Sequence, residues 1–113
     1  MKIITTLNEY QDATDRTDNH TDNIKAVINF GLGIAGESGE IVDLVKKVIY
    51  HGHVADQEKF KAELGDLMWY IARLADRLGL TLEEVANYNI EKLQKRYPDG
   101  FSQQKSINRV ESK

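Results

Sequence analysis

Two pairs of carboxylates keep a spacing that places both members on one side of a helix. They are Glu37-x-x-Glu40 in "GLGIAGESGEIVDLVKK" and Glu63-x-x-Asp66 in "AELGDLMWY". Residues three apart are neighbours on a helix, and like charges there repel. A single such pair is usually a solvated helix face. Two pairs on consecutive helices differ, because antiparallel packing would bring all four carboxylates together. Four ionised carboxylates in a half-buried cleft require compensation. A divalent cation supplies it, and an all-oxygen donor set suits a hard ion such as Mg2+ or Mn2+. A di-iron centre would need Glu-x-x-His on two helices, and His20, His51 and His53 do not form that motif. The chain has no cysteine, which removes thiolate zinc sites, disulfides and cysteine nucleophiles.

Glycine accompanies both pairs: Gly36 and Gly39 flank the first, and Gly65 lies inside the second. Each glycine within a helix costs about 0.5–1 kcal/mol relative to alanine. Their expected role is to clear room beside the acids for a ligand or a second backbone.

The elements that must position these acids are helical, since apolar residues recur at spacings of three and four. A first helix is expected from near Leu7, with Thr6 and Glu9 as a capping box. "DRTDNHTDN" is too polar to pack and reads as a helix end plus loop. The second helix should run from Ile24 to Tyr50 and stop at Gly52. The third should follow Asp56 as N-cap and reach Leu78, with Gly79 at its C-terminal end. The fourth should begin at Thr81, boxed with Glu84, and close at "RYPDG". The tail from Gln103 is polar and expected to be loosely held.

On a helical wheel the core stripe of the second helix is Ile34, Ile41, Leu44, Val45, Val48 and Ile49. That of the third is Leu64, Leu67, Ile71, Leu74 and Leu78. Each acid pair sits at the same edge of its stripe. Tyr70 and Arg73 lie nearer that flank and are expected to line a pocket. Trp69 falls on the far side and reads as a packing or subunit-contact residue. His51 reads as a capping or surface residue, and Tyr97 and Phe101 as docking the C-terminal turn. Short connections between long helices imply antiparallel neighbours, hence an all-α, four-helix-bundle-like domain over residues 1–113.

Composition narrows the function classes. The chain has 113 residues, a formal net charge of -3 and scattered basic residues, which argues against nucleic-acid or acidic-membrane binding. The N-terminus turns polar too early for a signal peptide, and no apolar run approaches a membrane span. A cytoplasmic protein is the expectation. A chain this short builds a modest core, so oligomerisation would add buried surface.

Taken together, "GIAGESGE" with the following lysine pair, "ELGDLMWY" and "NIEKLQKRYPDGF" resemble the MazG-like nucleoside triphosphate pyrophosphohydrolases. These belong to the all-α NTP pyrophosphatase superfamily, with the dimeric dUTPases and phosphoribosyl-ATP pyrophosphatases. The resemblance runs from Leu7 to about Arg109. It implies cleavage between the α and β phosphates, giving a nucleoside monophosphate and pyrophosphate. It implies Mg2+ held by Glu37, Glu40, Glu63 and Asp66, with water as nucleophile and Glu37 or Glu40 as an alternative general base. Lys92 and Arg96 match basic residues that family members place on the phosphates; Asn89, Lys59 and Lys47 are further substrate candidates, while Trp69 reads as a packing or subunit-contact residue rather than a base-stacking platform. A homo-oligomer, dimer or tetramer, is also implied. The rival readings are a helical module that binds metal and nucleotide without turnover, and a structural adaptor whose acids are solvated. Within the superfamily, a dUTPase-like or phosphoribosyl-ATP pyrophosphatase-like preference stays open.

Overall fold

The computed structural model describes residues 3–109. They form five α-helices: α1 Leu7–Thr14, α2 Asn23–Tyr50, α3 Gln57–Arg77, α4 Leu82–Arg96 and α5 Gln103–Ile107, with a 3₁₀ turn at Asp15–Thr17. The boundaries follow local chemistry. The side chains of Thr6, Asp22 and Asp56 each accept a first-turn N–H, from Glu9, Lys25 and Glu58 respectively. Thr81 and Glu84 make both arms of the expected capping box. Gly79, at φ 78°, ends α3 with Leu80 N–H returning to Ala75 O at 2.8 Å and Gly79 N–H to Asp76 O at 3.0 Å. In the tail, Ser102 caps the short α5 by accepting from Lys105 N–H at 3.0 Å, and the tail beyond residue 109 lies outside the described residues.

The α2–α3 hairpin is antiparallel, as a ladder of pairs along it shows. Asn23 reaches Arg77 O, Phe30 meets Trp69 and Tyr70, Gly33 abuts Tyr70, Glu37 approaches Glu63 and Asp66, and Lys47 shares a groove with Lys59. α1 packs across the C-terminal half of α3. Gln11, 4% exposed, donates to Ala72 O and Leu80 O and accepts from Leu82 N–H at 2.9 Å. Asn8 and Glu83 exchange side-chain and backbone bonds at 3.0 and 3.1 Å, fixing the start of α4 on α1. α4 thus packs chiefly on α1 rather than folding back along α3, as its short connection suggested.

The buried apolar core is small: Ala26, Phe30, Ala72 and Ala75. This corrects the expected core stripes. Leu64, Ile71 and Leu78 of α3 and Val45 and Ile49 of α2 are exposed within the chain. The reason is architectural, since a helical hairpin buries the seam between its members and needs another layer to cover the rest of each stripe. The chain exposes 8632 Å², against about 6300 Å² expected for a compact monomer of this mass. Its radius of gyration is 17.1 Å, against about 13 Å for a compact domain. Among the described residues, no helix is long and apolar enough to cross a membrane.

Candidate functional site

Midway along the α2–α3 hairpin, Glu37 from α2 and Glu63 and Asp66 from α3 converge. One carboxylate oxygen of each lies within 4.8 Å of the others. The ladder explains why: the register that seats Phe30 against Trp69 brings Glu37 opposite Glu63 and Asp66 about two helical turns further on. None of these three acids makes an ion pair with a described lysine or arginine. The Glu37 Oε2 atom is buried and has no hydrogen-bond partner. Its carboxyl is raised above its ordinary value, first by the close approach of the Glu63 carboxyl. Desolvation and the charges of Asp66, Glu63 and Glu40 push the same way.

A buried, unpartnered carboxylate oxygen within a ring of acids is the environment a cation would relieve. The donor set is all oxygen, which fits a hard divalent ion. Glu40 stands apart from the expected foursome. It is exposed and outside the converging group, although its charge is felt at Glu37 and at Lys47.

The acids open onto a cleft of about 370 Å³ lined by Thr17, Glu37, Asp66, Trp69 and Tyr70. Two expectations change here. Trp69 lines this cleft instead of facing away from the acids. Its indole N–H donates to Thr17 Oγ1 at 2.8 Å, which ties the ring to the 3₁₀ turn. Arg73, expected in the pocket, is 1% exposed and buried in an ion network instead. It binds Asp15, Asp18 and Asp76 at 3.2, 3.0 and 2.8 Å, and Arg77 joins it on Asp18 at 2.9 Å. Tyr70 lines the cleft as expected. Sequence reasoning missed Thr17 and Tyr10. The Tyr10 hydroxyl is raised first by burial and then by the Asp66 charge, which places α1 beside the acids.

A side chain at Gly36, Gly39 or Gly65 would meet nothing in this chain, so no neighbour presses on the room they leave. The close approach occurs at Gly33, where a Cβ would run into the Tyr70 ring.

The remaining substrate candidates fall into two groups. Lys47 and Lys59 share a small groove at the turn end of the hairpin with His53, Asp56 and Phe60. There Lys47 pairs with Asp43 at 2.9 Å. Asn89, Lys92 and Arg96 lie on α4 and do not line the acid cleft. Lys92 borders a groove with Tyr88, Glu91 and Lys95, and the Arg96 guanidinium sits 5.7 Å from the Tyr97 ring centre. Tyr97 and Phe101 contact each other at 5.2 Å, but Phe101 is 74% exposed and does not dock into the helices. His51 caps the end of α2 and is exposed, as expected. A groove of about 500 Å³ runs along α4 between Leu80, Val85 and Tyr88 and contains none of the convergent acids.

No solved structure matches the chain. It is similar to the Gene 37 protein of Mycobacterium phage L5, with 38% identity over 92 residues, covering 78% of this chain and 81% of that protein. Residues 27–101 match the model of the MazG nucleotide pyrophosphohydrolase domain, a stretch that contains both acid pairs and α4. The chain belongs to the MazG nucleotide pyrophosphohydrolase domain family.

Proposed function

We propose that the protein is a Mg2+-dependent nucleoside triphosphate pyrophosphohydrolase that cleaves between the α and β phosphates, releasing a nucleoside monophosphate and pyrophosphate. The observation that carries this reading is the convergence of Glu37, Glu63 and Asp66 around a buried, unpartnered Glu37 oxygen with no cation of the chain's own. Glu37, Glu63 and Asp66 hold the metal, and Glu40 borders it. When bound, Mg2+ (Mn2+ being the natural substitute) offsets phosphate charge and lowers the pKa of water.

The chain's own residues do the rest. The acid cluster repels an unaccompanied triphosphate, so nucleotide enters only with its counter-charge. The carboxylate not consumed by the ion accepts the proton of the attacking water. Glu40, which borders the converging acids without joining them, suits that part. Lys59, one turn before Glu63, and Lys47 meet the phosphate chain in this proposal, a role supported by their shared groove at the turn end of the hairpin. Asn89, Lys92 and Arg96 meet it from α4 of a second copy. A homodimer or tetramer, in which a second copy would cover the exposed apolar residues of α2 and α3, is part of the same proposal and is supported by that exposure.

The test is product analysis. The protein is incubated with ribo- and deoxyribonucleoside triphosphates and Mg2+, and the products are separated by chromatography. Monophosphate plus pyrophosphate is expected, and Glu63→Gln should lose at least about 100-fold in rate, since even groups behind metal ligands cost 10- to 100-fold. Conversion of no nucleotide by the wild type would sink the reading.

A further inference from the structure

Trp69 is the only tryptophan in the chain, and the metal centre does not use it. Its orientation is fixed from three sides. The indole N–H donates to Thr17 Oγ1 at 2.8 Å. The ring packs edge-to-face with Phe30 of α2 at 5.4 Å and with Tyr70 at 5.2 Å. It nonetheless stays half-exposed, on the wall of the cleft that holds Glu37 and Asp66. A rigid aromatic surface left partly open beside a charged centre is suited to a ligand that is both planar and anionic.

We infer that the nucleobase of the substrate stacks on Trp69, with Tyr70 beside it, and that this wall selects by stacking rather than by hydrogen-bonded reading of the base. The inference rests on the nucleotide reading above. The phosphates are drawn to the acids through the cation, and the nucleoside tethered to them ends in the same cleft. Two polar groups of the wall are already engaged, which leaves it the Tyr70 hydroxyl. The Trp69 N–H is committed to Thr17, and the Thr17 hydroxyl donates to Thr14 O at 3.2 Å. Among the described residues, no asparagine or glutamine amide lines the cleft. Strong discrimination between bases needs buried donors and acceptors that the wrong base leaves unpaired. A π face is common to all bases, so stacking is tolerant. The substrate class is therefore nucleoside triphosphates of any base, with purines ahead of pyrimidines because they cover more ring.

Because Trp69 alone supplies indole fluorescence, it reports on its own contact. The full-length protein with Mg2+ is titrated with α,β-methylene-dATP, whose α–β bridge resists cleavage, with its dCTP counterpart, and with inorganic tripolyphosphate. Both nucleotide analogues should quench Trp69, the adenine one more strongly, while tripolyphosphate binds by calorimetry without quenching. Trp69→Ala should weaken α,β-methylene-dATP at least about fivefold and leave tripolyphosphate affinity unchanged, and Trp69→Phe should recover most of the loss. Equal quenching by tripolyphosphate overturns the stacking role. So does wild-type nucleotide affinity in Trp69→Ala, or a preference above about 100-fold for one base. If tripolyphosphate fails to bind with Mg2+, the nucleotide reading fails and stacking falls with it. If it binds and the base adds nothing, stacking alone is lost. The wild-type titration decides even if Trp69→Ala does not fold.

Discussion

The molecule contains two clusters of acids against the same α3 helix, and they are treated in opposite ways. Near its C-terminal end, Asp15, Asp18 and Asp76 surround Arg73 and Arg77, and the Asp18 carboxylate is fully enclosed. Near its N-terminal half, Glu63 and Asp66 meet Glu37 with no arginine or lysine between them. The first cluster is complete as folded, and its charges hold the 3₁₀ turn against α3. The second is incomplete by construction. The difference separates structure from function, because selection for stability alone would have supplied the second cluster with a cation of the chain's own, as it did the first.

The largest test of this contrast is a pair of charge removals. Arg73→Met, which keeps most of the side-chain volume, should cost about 3–5 kcal/mol, because it strips a buried carboxylate of a partner. Asp18, with no exposed side-chain surface, is the group left short. Glu63→Gln should do the reverse in Mg2+-free buffer, leaving stability unchanged or raised by relieving Glu37. Urea denaturation of both variants measures this. A loss of stability in Glu63→Gln of the size seen in Arg73→Met would erase the distinction between the clusters.

A smaller effect is the opposite pH response of the two clusters. Burial works to raise the Asp18 carboxyl, but hydrogen bonds from Arg77, His20 and Arg73 override it and hold it far below its ordinary 3.8. A depressed folded-state value means the unfolded chain binds the proton more readily. The stability Asp18 contributes is therefore fully present above pH 3.8 and is lost as pH falls below it. Glu37 is raised above its ordinary 4.5. There the folded state binds the proton more readily, so stability is lost as pH rises from 4.5 through the raised value. Melting curves in chelator from acid to neutral pH should show both slopes. Glu37→Gln should remove the upper one only, and a variant that keeps it would place the strain elsewhere.

How far the sequence disclosed all this follows from the range of the interactions. Helix starts were legible because Asp22, Asp56 and Thr81 cap within their own turn. The Glu37, Glu63 and Asp66 cluster was legible because period and antiparallel order fix its register. Trp69 and Arg73 were misplaced because a wheel gives a side chain's direction on its own helix and not what arrives from another. The 3₁₀ turn delivers Thr17 to Trp69 and Asp15 and Asp18 to Arg73, and nothing in the α3 sequence announces that. The core stripes failed for a related reason: they identify surfaces that seek cover, and the chain does not contain all of that cover.

The smallest effect concerns two glycines one turn apart on α2, and it sharpens the contrast at the level of single methyl groups. At Gly33 a Cβ would enter the Tyr70 ring, which cannot retreat because Phe30 and Trp69 pack against it. Gly33→Ala should therefore cost about 1–3 kcal/mol, as overpacking does. At Gly36, one residue before Glu37, the added methyl meets nothing. Gly36→Ala should gain about 0.5–1 kcal/mol from helix propensity in the isolated chain. If a second copy or the substrate approaches beside the acids, the same methyl should weaken assembly or raise KM while helix stability rises. Thermal melting together with light scattering and kinetics separates the two. A Gly36→Ala protein with higher Tm, unchanged mass and unchanged KM would mean that the glycine beside the acids serves neither ligand nor partner. The physical account of its presence in mid-helix would then have to be sought away from the site.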